Sequence, residues 1–230
     1  MSGVSEVGRV GALVQLTHPL PSLATVAAAL GFAGLASDGW LPPGLVFQLG
    51  GALLAQQLAT SLHNDWCDRD IDALAKPDRA IPSGAIKPAT VLWLAAALST
   101  LSLALALPFG MDEVALVGLW LVTAVAYNAW LKRTVWSWLP FCIGFPLIAL
   151  YGAAALDHWP GWIWWACLLA QPLIIAIHLA DSLPDLEADA AAGSHGLAWH
   201  LGARRARTAC GAGFVASGVL LAVLAFAARG

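Results

Sequence analysis

Seven stretches of this chain are long and apolar enough to cross a lipid bilayer, and that one feature removes most folds from consideration. A spanning helix needs about 20 residues with few charges. Such stretches run from about Val10 to Ala36, Pro42 to His63, Pro88 to Leu107, Val114 to Leu131, Val135 to Leu156, Trp159 to Ala180 and Ala206 to Ala228. Pro19 and Pro21 break the first early, which predicts a kink or a re-entrant start. The chain is 60% hydrophobic and 11% charged, whereas a soluble domain is about a quarter charged. The expectation is an all-α polytopic membrane protein. Seven transmembrane helices would form a bundle around a central cavity, one domain over residues 1–230.

The charges give an independent test. With the N-terminus on the cytoplasmic side, residues 1–9, 67–87, 132–134 and 184–205 share that side. Together with Arg207 they hold 10 of the 11 Lys and Arg residues. The opposite connections, 37–41, 108–113 and 157–158, hold none; they carry Asp38, Asp112, Glu113 and Asp157. Only Arg229 lies outside the pattern. This asymmetry predicts an integral membrane protein with its N-terminus cytoplasmic. The segments 67–87 and 184–205 are polar and much longer than the other connections, so they are expected to cap a cavity.

Other classes fall away. No basic run or basic helix face offers a nucleic-acid surface. Cys67, Cys142, Cys167 and Cys210 form no C-x-x-C pair, so neither a zinc site nor a disulfide framework is expected. The first residues lack the basic region and cleavage site of a signal peptide.

The chemistry concentrates in Asn64-Asp65-Trp66-Cys67-Asp68-Arg69-Asp70-Ile71-Asp72. On a helix, Asp65, Asp68 and Asp72 stand at i, i+3 and i+7 and share one face. Asp70 lies off that face, close to Arg69. The pattern recurs as Asp181, Asp185 and Asp189, at i, i+4 and i+8. The spacing leaves no basic residue on either face to neutralise it. Carboxylates near membrane depth default to function. Hard oxygen ligands on two helices suit Mg²⁺, which binds through one or two carboxylates plus substrate phosphates. Two such faces opposite each other would hold a diphosphate. Fixed cations stand nearby: Lys76, Arg79 and Lys87 beyond the first pattern, and Lys132 and Arg133 after Tyr127 and Asn128.

The stretch from Asn64 to Gly84 resembles the first Asp-rich motif, N-D-x-x-D-x-x-x-D, and following loop of the UbiA family of intramembrane prenyltransferases. Asp181 to Gly193 is similar to that family's second motif, D-x-x-x-D-x-x-x-D. Tyr127 to Arg133 resembles its tyrosine–lysine segment, and Leu197 to Gly202 the apolar stretch that opens the next helix. The resemblance implies Mg²⁺-dependent transfer of a prenyl group from its diphosphate to an aromatic or other cyclic acceptor within the membrane. It implies that Asn64, Asp65, Asp68 and Asp72 serve one Mg²⁺–diphosphate face, and Asp181, Asp185 and Asp189 the other. Lys76, Arg79, Tyr127 and Lys132 would hold or polarise the diphosphate, with Asp68 and Asp185 central to catalysis. Trp66 and Trp130 are candidates to face the allylic cation, which aromatic faces stabilise. Trp159, Trp162, Trp164 and Trp165 read instead as an interfacial belt.

Three departures are plain. The family usually has nine spans and seven are counted here, which points to a more open cavity or one closed by a homo-oligomer. His18-Pro19 stands where many members have a basic residue before proline. Pro184 interrupts the second motif. Two alternatives stay open: a membrane terpene cyclase using the same site, and a non-catalytic lipid-binding or assembly homologue. His178, three residues before Asp181, is expected to be packed or bonded to a carbonyl.

Overall fold

The computed structural model describes residues 6–37, 39–191 and 193–227, and every regular element among them is helical. Asp38 and Arg229, which the charge pattern invoked, lie outside the described residues. So do the first five residues of the expected cytoplasmic N-terminus. Among the described residues, seven helical segments are long and apolar enough to span a bilayer, from Val14–Ala36 to Ala203–Val223. Large apolar side chains such as Leu20, Phe47 and Trp93 are 81%, 80% and 76% exposed. That is costly in water and favourable in lipid.

The described residues fall into two compact units, one lying within residues 1–129 and 147–159 and the other within 130–146 and 160–230. In the first unit, α1 (Glu6–Thr17) and α2 (Pro19–Ala36) meet at His18, whose φ of 42° is left-handed. The first span therefore breaks where His18-Pro19 predicts. α3 (Pro43–Ala75) is one helix of 33 residues. At 1.5 Å per residue it is about 50 Å long, against about 30 Å of hydrocarbon. Its surplus length carries the first acidic motif beyond the apolar layer.

α3 ends because Pro77 excludes the helical conformation for Lys76, which has φ −141° and ψ 63°. The segment 67–87, expected as a cap loop from its start, is thus helical through Ala75; only residues 76–87 form the connection. Helix-compatible spacing simply persists through the acidic motif. α4 (Pro88–Ala106) packs along α3, with the buried Ser102 hydroxyl donating to the Ala52 carbonyl at 2.8 Å. α5 (Met111–Ala129) joins them through Gln56, whose Nε2 donates to the Val117 carbonyl at 3.4 Å and the Tyr151 hydroxyl at 2.8 Å. Tyr151 lies on α6 (Leu139–Ala155). α2 and α6 cross at Gly152, where an added Cβ would stand 2.5 Å from the Ala33 Cα.

The second unit begins with the turns Leu131–Arg133 and Val135–Trp138 and the first residues of α6. The sixth span divides into α7 (Trp162–Leu169) and α8 (Gln171–Ser182), with Pro172 opening α8. α9 (Leu186–Ala191) and α10 (Leu197–Leu201) are short, and α11 (Ala203–Ala227) packs on α8. Cys210 reaches across that contact, its thiol donating to the Ala176 carbonyl at 3.4 Å. Leu179, Ala198 and Ala206 form the local core. Among the described residues the four cysteines form no disulfide.

Candidate active site

In the first motif, Asp65, Asp68 and Asp72 share a face of α3, as their spacing requires. Asp65 and Asp72 are only 4% and 6% exposed. They are neutralised by a cation that lies beyond the motif: Arg79 Nη1 stands 3.1 Å from Asp65 Oδ1 and 3.2 Å from Asp72 Oδ2. The expectation that no basic residue serves this face is therefore corrected. The connection doubles back after Pro77 through successive turns, with Arg79 N–H donating to the Lys76 carbonyl and Ser83 N–H to the Arg79 carbonyl. Buried Ala80 and Ile81 anchor it in a core with Leu16, Leu62 and Val91. That anchorage swings the guanidinium onto α3.

His18 completes the group, with Nε2 3.3 Å from Asp65 Oδ1. Its left-handed backbone is strained for a residue with a Cβ, a feature that often marks a functional position. From its place before Pro19, His18 thus makes a polar contact to the first motif. Lys76 is exposed at the end of α3, and Asn64 and Asp68 are half-buried. Trp66 packs against the core that anchors Ile81, and Arg69 lies 4.4 Å from the centre of its ring. Arg69 also pairs with Asp70 at 3.4 Å.

Tyr127 is half-buried near the end of α5. Its neighbour Asn128 is buried and donates to the Thr60 carbonyl at 3.2 Å, tying this helix end to α3.

In the second unit, Lys132 is half-buried in the turn after the exposed Trp130. Trp162, Trp164 and Trp165 are exposed, as an interfacial belt requires. The second motif is not one helical face. α8 ends at Ser182, Pro184 occupies the turn, and Asp185 precedes α9, which carries Asp189. The i, i+4, i+8 reading is corrected here: Pro184 cannot donate to Ala180, and its ring opposes helical continuation. Asp181, Asp185 and Asp189 are exposed. Among the described residues no Lys or Arg lies within 4 Å of Asp181 or Asp185.

Two Asp-rich segments, a tyrosine and a lysine set among membrane-spanning helices are the features on which a family match can be judged. The model of the UbiA prenyltransferase family matches residues 22–230. The chain belongs to that family.

This UbiA-family prenyltransferase is 32% identical over 227 residues to the digeranylgeranylglyceryl phosphate synthase of Natronomonas pharaonis, covering 95% of this chain and 78% of the relative. Over a shorter stretch of 84 residues it is 40% identical to the bacteriochlorophyll synthase 33 kDa chain of Rhodobacter capsulatus, covering 35% of this chain and 27% of that one. Its fold is similar to that of a UbiA homologue from Archaeoglobus fulgidus bound to DMAPP and Mg²⁺, with a TM-score of 0.75 at 19% identity, covering 92% of this chain and 76% of that one.

Among the described residues of this prenyltransferase, no three His, Cys, Asp or Glu side chains converge on a metal-sized point. The donor set nevertheless fits Mg²⁺. That ion keeps several waters and takes one or two carboxylates, with substrate phosphates supplying the rest. What the motifs did not announce is Ser137, set between Trp136 and Trp138. It has no charge or repeat to mark it, yet it is buried and binds His178, which is packed as expected and is also held by a hydroxyl.

Proposed function

We propose that this prenyltransferase moves a prenyl group from a polyprenyl diphosphate to a lipid-soluble acceptor, with Mg²⁺ as its cofactor. The observation that carries the reading is the buried Asp65–Arg79–Asp72 arrangement. Arg79 makes both contacts through Nη1 alone, so neither contact uses its Nε or Nη2. A guanidinium held in this way presents a forked donor that matches phosphate oxygens. Asp65 and Asp72 orient it. Asn64 and Asp68 on α3, and Asp181, Asp185 and Asp189 of the second motif, would supply oxygen ligands for Mg²⁺. Bound Mg²⁺ would neutralise charge on the leaving diphosphate. Lys76, Tyr127 and Lys132 stabilise the same charge as the allylic C–O bond breaks and its electron pair passes to oxygen. The acceptor then bonds to the allylic carbon and releases a proton. Trp66 and Trp130 remain candidates to face the cation.

The sequence reading assigns an aromatic or other cyclic acceptor, and the likeness to a bacteriochlorophyll synthase chain over 84 residues supports it. A second reading, a glyceryl phosphate lipid, is supported by the likeness to digeranylgeranylglyceryl phosphate synthases, which extends over 95% of this chain. The N-terminus and both acidic motifs are placed on the cytoplasmic side by the Lys and Arg distribution.

The test is to offer purified protein in lipid nanodiscs a panel of prenyl diphosphates, with and without Mg²⁺, against aromatic and glyceryl phosphate acceptors. Products are identified by mass spectrometry. Diphosphate release is expected to need both Mg²⁺ and acceptor. Asp68→Ala and Asp185→Ala are each expected to lower turnover by about 100-fold or more. Normal turnover in either variant would remove these carboxylates from the mechanism. Release without acceptor, with a cyclic product, would make the protein a cyclase.

A further inference from the structure

We infer that Ser137 and His178 form a latch that positions the Lys132 turn against the helix bearing Asp181. The inference rests on the prenyl-transfer reading for its catalytic consequence, but the latch itself is a matter of hydrogen bonds. The Ser137 hydroxyl oxygen accepts the Leu197 N–H at 2.9 Å and stands 3.0 Å from His178 Nε2. A hydroxyl has one proton to give. Ser137 either donates that proton to an unprotonated Nε2 or accepts from Nε2–H through its second lone pair, according to the tautomer of His178, and the contact is a hydrogen bond in both cases. Ser137 and His178 are 2% and 1% exposed. Water therefore cannot take over either bond when one is lost.

Three segments meet at this hydroxyl. His178 sits on α8, three residues before Asp181, and its ring packs on Phe141 with centroids 4.6 Å apart. Leu197 opens α10, beyond the second motif. Ser137 belongs to the turn that follows Lys132 and Arg133. A further bond closes the circuit: the His195 N–H donates to the Arg133 carbonyl at 3.3 Å. Gly196 lies between these two contacts. A Cβ there would stand 3.1 Å from the Lys132 carbonyl oxygen and 3.3 Å from Ser137 Oγ, so the close approach favours the absence of a side chain. The segment after the second motif is thereby fastened to the backbone of the Lys132 turn, and Ser137 fastens both to α8. None of these groups needs to touch substrate. Ser137 and His178 are positioning residues, and their effect on turnover passes through Lys132 and Asp181.

The experiment compares Ser137→Thr with Ser137→Val. The two add nearly the same bulk and differ in the hydroxyl, so misfolding from size alone affects both alike. His178→Phe, which keeps a ring and removes the bonding nitrogen, tests the other end. Hydrogen exchange of peptides covering residues 194–201 is measured on the substrate-free protein, and kcat and KM for the prenyl diphosphate on the Mg²⁺-loaded enzyme. In Ser137→Val and His178→Phe, exchange is expected to accelerate by about tenfold. In the same variants kcat should fall by about 10- to 100-fold, more than KM changes, while Ser137→Thr stays near wild type. Equal exchange in the Thr and Val variants overturns the latch. Faster exchange with unchanged kcat overturns its role in positioning. If wild-type protein transfers no prenyl group, the proposed activity fails, while the exchange measurement still decides whether the latch exists.

Discussion

The two Asp-rich motifs look alike in sequence and are built differently. The first lies on an unbroken helix, and its buried carboxylates are held by one arginine from the connection that follows. The second is divided between a helix end, a proline turn and a six-residue helix, and its carboxylates are exposed. Burial explains the contrast. A carboxylate nearly closed off from water needs a partner at once, and the protein supplies Arg79. An exposed carboxylate is solvated and can await a cation that arrives with substrate. On the proposed reading, the first motif is assembled before ligand binds and the second would be completed by it, with the Ser137–His178 contact holding its helix in place.

The largest effect should come from removing Arg79. Arg79→Ala leaves two nearly buried carboxylates facing each other without a cation. The cost is expected to be about 3 kcal/mol, the lower end of the range because the arginine itself is 27% exposed. Lysine should restore much of that stability, since Nη1 alone makes both contacts and an ammonium can occupy its place. It should not restore turnover, because the planar fork toward phosphate is lost. Thermal unfolding and diphosphate release measured on both variants separate these outcomes. If Arg79→Ala unfolds like wild type, the first motif is no more preassembled than the second, and the contrast fails.

How far this contrast was legible in the sequence depends on which residues carry it. The seven spans and the sharing of a face by Asp65, Asp68 and Asp72 follow from apolar length and helical period, both local properties. The stop at Lys76 follows from Pro77. The return of Arg79 onto Asp65 does not, because it depends on Ala80 and Ile81 finding a core built by Leu16, Leu62 and Val91. That is a tertiary event with no spacing signal. Pro184 announced a fault in the second motif, but not that α8 would stop before it and a new helix start after it. Ser137 carried no sign at all: a lone serine between tryptophans reads as a helix-end residue until His178 and Leu197 are placed around it.

A change at Pro184 should have an intermediate effect. Pro184→Ala restores an N–H and removes the ring that opposes helix continuation, so α8 is free to extend toward Asp185. The second motif would then become more like the first, with its carboxylates on one face. Stability should rise or stay level, while turnover falls by about tenfold as Asp185 is re-aimed. Circular dichroism, thermal unfolding and product formation follow the three quantities. Unchanged turnover alongside a gain in helix would mean that the break in the second motif serves no purpose in catalysis.

The smallest effect marks where the first motif ends. Asp70 stands among its carboxylates in sequence, yet it points away from their shared face, is 83% exposed, and pairs with Arg69 at 3.4 Å. Arg69 also donates to the Trp66 carbonyl at 2.7 Å and lies over the Trp66 ring, so it keeps its place without Asp70. A solvent-exposed ion pair contributes about 0.5 kcal/mol or less. Asp70→Asn should therefore leave both the unfolding temperature and Mg²⁺-dependent turnover close to wild type, whereas Asp72→Asn, two residues on, loses a charge that Arg79 was holding and lowers both. The pair isolates burial, because the chemical change is identical and only the surroundings differ. A loss of turnover in Asp70→Asn equal to that of Asp72→Asn would show that the motif acts through its summed negative charge rather than through the carboxylates that α3 and Arg79 hold in place.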